Sequence, residues 1–193
     1  MKVLVVYCHP RPESFCAALR DAVLEGLGKA GHQADLVDLY AEGFAPALSA
    51  EERERYHTEG GNLDGIAGHV ARLRAADALV LVYPTWWYGM PAMLKGWFDR
   101  VWVPGVAFTL GAGAIEPALT NIRRIAVVTT YGSPRWLLWV IGHPDRKLMG
   151  RGLRRLCAKG CTLEWLSQTR MDHVPRTTLA AFRERVARHF SRW

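Results

Sequence analysis

The chain has 193 residues, half of them hydrophobic, a length typical of one domain with a sizeable buried core. Its 25 lysines and arginines exceed its 18 aspartates and glutamates to give a net charge of +7, but no base-stacking motif accompanies them, so no nucleic-acid partner is expected. No apolar run approaches the roughly 20 residues of a membrane span, and four cysteines without metal-site or disulfide-framework spacing predict a cytoplasmic protein with reduced thiols.

Apolar segments rich in β-branched residues alternate with amphipathic segments along the chain, which predicts repeated βαβ units in one domain over residues 1–193. The predicted strands are 2–7, 33–39, 78–83, 124–130 and 162–167. The predicted helices are 14–29, 64–75, 91–101, 145–159 and 177–190. The expected architecture is α/β, with a doubly wound five-stranded parallel sheet of order 2-1-3-4-5 and helices on both faces.

Local signals mark the ends of these helices. Ser14 and Asp64 are plausible N-caps, Pro91 suits a first helical position, and Gly31 and Gly160 suit the left-handed position after a helix. Two longer segments interrupt the alternation: residues 41–62, where a short helix is expected, and residues 103–121.

The first strand runs into the sequence C-H-P-R-P-E-S-F, which leads to a helix. The unpaired N–H groups of a first helical turn attract anions, and Ser14, His9 and Arg11 add donors or charge, so this loop is a candidate phosphate site. The alternative is a turn stiffened by proline and capped by serine.

The third predicted strand ends in the most informative motif, Y-P-T-W-W-Y-G-M-P. Three consecutive aromatic residues, Trp86, Trp87 and Tyr88, exceed what one turn needs for packing, and their faces are suited to a planar ring. After the fourth strand, T-T-Y-G-S-P offers hydroxyls and backbone amides that can hold a polar ring edge, or else forms an ordinary turn. Since carboxyl ends of parallel strands share one edge, the three loops should meet there.

These blocks resemble the flavodoxin-like NAD(P)H:quinone oxidoreductases, through V-V-Y-C-H-P, Y-P-T-W-W-Y-G-M-P-A-M-L-K-G-W-F-D-R-V, T-T-Y-G-S and G-H-P. The resemblance implies a flavodoxin-like fold that binds a flavin. The residues it implies around that flavin are His9, Ser14, Phe15 and Cys16 at the phosphates, Pro84, Thr85, Trp86, Trp87 and Tyr88 around the ring, and Thr129, Thr130, Tyr131 and Gly132 at its pyrimidine edge. It also implies a catalytic role for His143 in the substrate pocket.

The activity implied by the resemblance is two-electron, ping-pong hydride transfer from NAD(P)H through the flavin to a quinone or a similar small acceptor. FAD is favoured over FMN because the long 41–62 segment resembles the larger FAD-binding members, and the choice between NADH and NADPH stays open. A homodimer is expected. The alternative function is a regulatory flavoprotein subunit that docks peripherally on a membrane transport system.

The chain departs from the family pattern at three positions. Cys16 stands where relatives commonly have asparagine, and Tyr131 replaces the first of two glycines. Leu137 stands where the mammalian enzymes have a tyrosine six residues before the pocket histidine, so a proton relay through that hydroxyl is not expected.

Overall fold

A five-stranded parallel sheet forms the centre of the computed structural model, which describes residues 1–58, 60–111 and 113–193. In chain order the strands are β1 (Lys2–Tyr7), β2 (Gln33–Asp38), β3 (Ala78–Pro84), β4 (Phe108–Leu110), β5 (Ile115–Pro117), β6 (Arg124–Thr130) and β7 (Thr162–Gln168). The sheet order is β2-β1-β3-β6-β7, while β4 and β5 pair separately as an antiparallel hairpin within the 103–121 segment. The predicted sheet order is therefore confirmed.

Seven α-helices surround the sheet in the described part of the chain. They are α1 (Phe15–Lys29), α2 (Ala50–Arg55), α3 (Ala67–Ala75), α4 (Ala92–Val101), α5 (Arg135–Ile141), α6 (Pro144–Lys147) and α7 (Arg176–Phe190). Helices α1 and α7 cover one face of the sheet, and α3 and α4 cover the other. Because both faces are covered, every residue of β3 is buried, as is usual for parallel sheets.

An apolar stripe on α1 forms much of the core on its side of the sheet. Leu19, Val23 and Leu27 are fully buried, and each contributes roughly 2 kcal/mol by leaving water. Gly26 lets α7 approach closely, because a Cβ at this position would lie 2.6 Å from the carbonyl oxygen of Ala187.

Two predicted helix starts are wrong by one to three residues. Helix α3 begins at Ala67 and not at an Asp64 cap, because Gly65 adopts a left-handed φ of 74° that interrupts the helical path. The Asp64 carboxylate pairs instead with Arg55, at 2.7 Å. Pro91 occupies the N-cap of α4, one residue before the expected position.

The predicted helix over 145–159 is also wrong. Only α6 is α-helical there, and it continues as a wide π-helical turn at Leu148–Gly152 and a 3₁₀ turn at Leu153–Leu156. Two glycines, Gly150 and Gly152, lower the helix propensity of this segment. Helix α5 was not predicted, because its residues are apolar on nearly every side and show no amphipathic period.

The long segment 41–62 contains the expected short helix. Ser49 and Glu52 form a reciprocal capping box at the start of α2, and Glu52 also pairs with Arg100 of α4. Gly31 and Gly160 have the predicted positive φ angles, 73° and 80°. No helix in the described residues is both long and apolar enough to cross a bilayer.

Candidate functional site

The loops that follow β1, β3 and β6 meet at the carboxyl edge of the sheet. Strand pairing aligns Tyr7 with Val82, and the Thr85 N–H donates to the Thr130 carbonyl at 2.8 Å. The rings of His9 and Trp86 lie 6.2 Å apart between centroids, which brings the first and second loops together. The structure thus places the three predicted segments in one region.

The first loop builds an anion site at the start of α1. The Ser14 hydroxyl accepts from the Ala17 N–H at 3.1 Å. The N–H groups of Phe15 and Cys16 also lie in the first turn, and because of helix geometry they have no intrahelical partner. His9 accepts from the Arg11 N–H through Nδ1 at 3.0 Å, and burial lowers the pKa of its ring, so the histidine shapes the turn as a neutral group.

Phe15 and Cys16 contribute to this loop mainly through their backbone. The Phe15 ring packs against Phe182 of α7, with centroids 6.4 Å apart. The Cys16 thiol is buried against the Thr130 hydroxyl at 3.7 Å, and burial raises its pKa to about 11. The Phe15 side chain has no polar atom to offer a phosphate, and the Cys16 thiol does not face solvent.

The second loop is a tight aromatic turn with an unfavourable backbone. Trp86 and Gly89 exchange two hydrogen bonds of 3.1 Å, and the residues between them, Trp87 and Tyr88, have φ angles of 50° and 61°. Left-handed backbone at bulky residues costs on the order of 1–3 kcal/mol each and concentrates at functional sites. This turn leaves the Trp87 side chain 95% exposed and Trp86 43% exposed.

The third loop faces this turn across a cleft of about 670 Å³. Residues lining the cleft are Thr85, Trp86, Trp87, Tyr88, Tyr131, Gly132, Ser133 and Asp172. The Ser133 hydroxyl donates to the Tyr88 hydroxyl at 3.3 Å and so links the two sides. A Cβ at Gly132 would lie 3.2 Å from an Asp172 carboxylate oxygen, so glycine keeps this wall open.

Tyr131 forms an inner wall of the cleft and is anchored beneath it. Its hydroxyl donates to the buried Asp145 carboxylate at 2.6 Å, and burial together with that bond raises the pKa of the phenol. Its backbone N–H donates to the Gln168 carbonyl at 2.8 Å.

Of the thirteen predicted cofactor contacts, six line the cleft: Thr85, Trp86, Trp87, Tyr88, Tyr131 and Gly132. Pro84, Thr129 and Thr130 are buried below it, where Thr129 contacts the Thr85 hydroxyl at 2.9 Å. Ser133 and Asp172 were not predicted as contacts. Asp172 follows β7, and extending the carboxyl-edge rule to that strand would have found it.

His143 lines a second cleft and not the first. This cleft measures about 610 Å³ and is bounded by Trp139, Gly142, His143, Arg146, Lys147, Gly150, Arg151, Arg154 and Leu163. His143 is the N-cap of α6 and has a left-handed backbone, with φ 49° and ψ 61°.

The first cleft has the features that a flavin needs. Its volume is within the range of small-molecule sites, aromatic side chains line it, and an open helix N-terminus lies beside its Trp86 wall. Because residue 132 is a glycine, no side chain occupies the space between it and Asp172. The edge of a planar ring can therefore approach the third loop.

Comparison with known proteins agrees with this geometry. A family model described as a flavodoxin-like fold matches residues 1–182. NAD(P)H dehydrogenase [quinone] 1 of Rattus norvegicus is 32% identical over 148 residues, covering 68% of this chain and 54% of the rat protein. The chain spans little more than half the length of several curated relatives that it matches.

Two solved structures are similar over nearly their whole length. Smu.1420 from Streptococcus mutans superposes with a TM-score of 0.87 at 28% identity, covering all of both chains. The NAD(P)H:quinone oxidoreductase from Methanothermobacter marburgensis gives a TM-score of 0.82 at 29% identity, covering 99% of this chain and 98% of that one.

Proposed function

Since the chain belongs to the flavodoxin-like NAD(P)H:quinone oxidoreductase family, we propose that it is a flavin-dependent enzyme that passes two electrons from NAD(P)H to a quinone-like acceptor. The observation that carries this proposal is the convergence of an open helix N-terminus, an aromatic turn and a glycine-bearing loop at one sheet edge. The proposed reaction is ping-pong, with the nicotinamide leaving before the acceptor enters.

Separate parts of the site would hold separate parts of the cofactor. The first-turn N–H groups at Phe15 and Cys16 would bind its phosphate, and the turn from Trp86 to Tyr88 would hold its ring against the Tyr131 wall. A bound flavin supplies hydride chemistry, taking hydride from a reduced nicotinamide and returning it to an oxidised acceptor. FAD is the proposed form, on the resemblance of the 41–62 segment to the larger FAD-binding members.

The protein would contribute two effects, alignment of the reactants and electrostatic stabilisation. Holding reacting atoms in contact contributes roughly 7–11 kcal/mol, whereas one positioned hydrogen bond contributes roughly 3–4 kcal/mol. The walls at Trp86, Trp87 and Tyr131 provide the first effect, and N–H groups at Gly132 and Ser133 are candidates for the second. Proton donation by His143 stays a prediction, since its ring lines the neighbouring cleft.

Identification of the cofactor tests the proposal most directly. The purified protein is denatured, the released chromophore is identified by mass, and the intact yellow protein is then mixed with NADH or NADPH under anaerobic conditions. We expect one flavin per chain, bleaching by a nicotinamide, and recovery of the colour on adding a benzoquinone. A protein that binds no flavin, or a bound flavin that neither nicotinamide reduces, would contradict the proposal.

Reduction without acceptor turnover would instead favour the regulatory alternative, in which the flavin senses redox state while the chain docks on a membrane transporter. The cytoplasmic location likewise stays a prediction from the sequence. The quinone-like acceptor is proposed by class only, because the cleft presents a mixed apolar and polar lining without a set of groups specific to one acceptor.

We also propose a homodimer that uses the outer face of α5. Trp136, Val140 and Ile141 on this short helix are 63%, 63% and 39% exposed, which is unusual for large apolar residues clustered together. Helix α5 begins two residues after Ser133 of the first cleft, so a second copy seated on this face would border the site.

A further inference from the structure

The second cleft is strongly cationic. Arg146, Lys147, Arg151 and Arg154 all line it, and its lining contains no aspartate or glutamate. Within the described residues, none of these four cations has a carboxylate within 4 Å, although twelve ion pairs of lysine or arginine with a carboxylate occur elsewhere. Uncompensated positive charge in a concave site raises the local concentration of anions.

The irregular segment after α6 brings these cations together. Lys147 ends α6, Arg151 lies in the π-helical turn and Arg154 lies in the 3₁₀ turn, and all three side chains line the same cleft. The segment includes the π-helical turn Leu148–Gly152, a rare element that is frequent at functional sites. The Arg154 guanidinium is oriented by donating to the Cys161 carbonyl at 3.0 Å.

Gly142 makes room for one of the cations. Its φ of 84° is left-handed, and a Cβ there would lie 2.9 Å from the Lys147 Nζ. A side chain at this position would displace the flexible end of Lys147. Glycine is also favoured here because residue 142 ends α5 in the left-handed conformation.

An aromatic wall completes the cleft. Trp139 is 76% exposed and borders the cations, while Leu163 of β7 contributes an apolar surface. An exposed indole beside guanidinium and ammonium groups suits a ligand that combines a flat ring with phosphate. A simple inorganic anion would interact with the cations alone and would not use the Trp139 ring.

The two clefts lie at opposite ends of α5. Ser133, just before the helix, lines the first cleft, and Trp139 and Gly142, at its other end, line the second. Seven helical residues span only about 10 Å at 1.5 Å per residue. One extended dinucleotide can therefore place a planar ring in the first cleft and a phosphorylated nucleoside in the second.

Resting on the proposed function, we infer that the second cleft binds the adenosine 2′-phosphate end of NADPH and makes this chain selective for NADPH over NADH. Lys147, Arg151 and Arg154 would contact the 2′-phosphate, and Trp139 would stack on the adenine. NADH has a hydroxyl at the 2′ position and would leave these cations without an anion.

Calorimetric titration of the flavin-loaded protein tests this inference without turnover. The probes are adenosine 2′,5′-bisphosphate and adenosine 5′-monophosphate, which differ only in the 2′-phosphate. We expect the bisphosphate to bind at least tenfold more tightly, and Lys147→Gln or Arg151→Gln to remove most of that difference. Both side chains are exposed, so neither change should disturb the fold.

Arg192→Gln is the matched control. It removes the same charge from a separate cleft at the amino edge of the sheet, beside Arg124 at the start of β6. Its preference for the bisphosphate should equal that of the wild type. If the wild type binds the two nucleotides equally, the cleft has no specific site for a 2′-phosphate and the inference is overturned. If the Arg192 variant loses as much of the preference as the cleft variants do, the effect is one of general charge, and the inference is likewise overturned.

Kinetics separate this inference from the proposed function. Arg151→Gln should lower the ratio of kcat/KM for NADPH to that for NADH by about tenfold. If the wild type uses both nicotinamides equally and binds both nucleotides equally, the inference fails while the oxidoreductase stands. If neither nicotinamide reduces the flavin, the oxidoreductase fails, and the nucleotide titration still decides whether the cleft recognises a 2′-phosphate.

Discussion

Tyr83 and Tyr131 are two buried tyrosines near the candidate site, and their hydroxyls have different surroundings. The Tyr131 hydroxyl donates to Asp145 at 2.6 Å, whereas the Tyr83 hydroxyl has no hydrogen-bond partner among the described residues. Burial raises the pKa of Tyr83 well above its usual range, so the group stays neutral. The pair allows one chemical change to be compared in two settings.

We expect Tyr131→Phe to lower the free energy of unfolding by about 1–3 kcal/mol, because it leaves the buried Asp145 carboxylate without this donor. Tyr83→Phe should be within about 0.5 kcal/mol of the wild type or more stable, since it removes an unsatisfied hydroxyl. Urea denaturation of the flavin-free proteins measures both. Equal losses in the two variants would show that the Tyr131–Asp145 bond contributes nothing specific.

Trp87 and His143 are expected to differ in their importance for flavin binding and turnover. Trp87→Ala should weaken flavin binding or slow turnover more than His143→Ala, because it removes a wall of the first cleft while His143 lines the other one. Flavin dissociation constants and kcat of the loaded variants give the comparison. A larger effect of His143→Ala than of Trp87→Ala would count against the idea that the protein acts mainly by aligning the reactants.

The aromatic turn between Trp86 and Gly89 holds two residues in an unfavourable backbone conformation. Trp87 gains little from packing because it is almost fully exposed, yet it adopts a φ that bulky residues avoid. Local stability therefore does not explain the conformation. Presenting an indole at the mouth of the cleft does, which is consistent with a role in ligand binding.

Replacing Trp87 by glycine or by alanine separates backbone from side chain. Both variants lack the indole and should bind flavin more weakly by a similar factor. Trp87→Gly should nevertheless be more stable than Trp87→Ala by about 1 kcal/mol, because glycine tolerates a φ of 50° and alanine does not. Thermal unfolding of the flavin-free variants measures this difference, and equal stability would mean that the turn relaxes in solution.

One carboxylate connects the edge of the sheet to the C-terminus of the chain. Glu164 of β7 accepts from Arg124 of β6 at 2.9 Å and from the Trp193 indole at 3.0 Å. Burial alone would raise the pKa of this carboxyl. The hydrogen bonds from Arg124 and Trp193, together with the positive charge of Arg124, outweigh burial and hold the pKa below its usual range.

The depressed pKa of Glu164 predicts a pH dependence of stability. A carboxylate with a lower pKa in the folded chain contributes stability at pH values above its unfolded pKa of about 4.3, and loses it as the pH falls through the folded value. Unfolding free energy should therefore decrease below about pH 4.3, and less steeply in Glu164→Gln. Urea denaturation from pH 3 to 7 checks this, and identical slopes would contradict it.

The proposed homodimer depends on the exposed apolar face of α5. Trp136→Glu places a charge in the exposed apolar face of α5 and should convert a dimer to a monomer in analytical ultracentrifugation. Thr177→Glu, which adds the same charge at an exposed polar position of α7, should leave the dimer intact. A monomeric wild type, or a dimer that survives Trp136→Glu, would show that α5 is not the interface.

Much of the architecture was predictable from short-range patterns. The five strands of the parallel sheet were located to within one residue at each end, and the three central ones, β1, β3 and β6, are buried apolar runs. The short hairpin strands β4 and β5 were not predicted. Helix α5 and the π-helical turn were not predicted, because their local patterns are typical of other elements. An apolar helix with little amphipathic period resembles a core strand, and a glycine-interrupted basic segment resembles an ordinary helix.

The sheet strands, the aromatic turn and the family could be read from the amino-acid sequence, because each depends on residues that are close together along the chain. Which side chains share a cleft could be seen only in the folded protein. It put His143 with Arg151 and not with Trp87, and it buried Cys16 and Thr129. A cleft is built from segments that are far apart in sequence, and whether they meet depends on how the helices pack on the sheet and not on any local pattern.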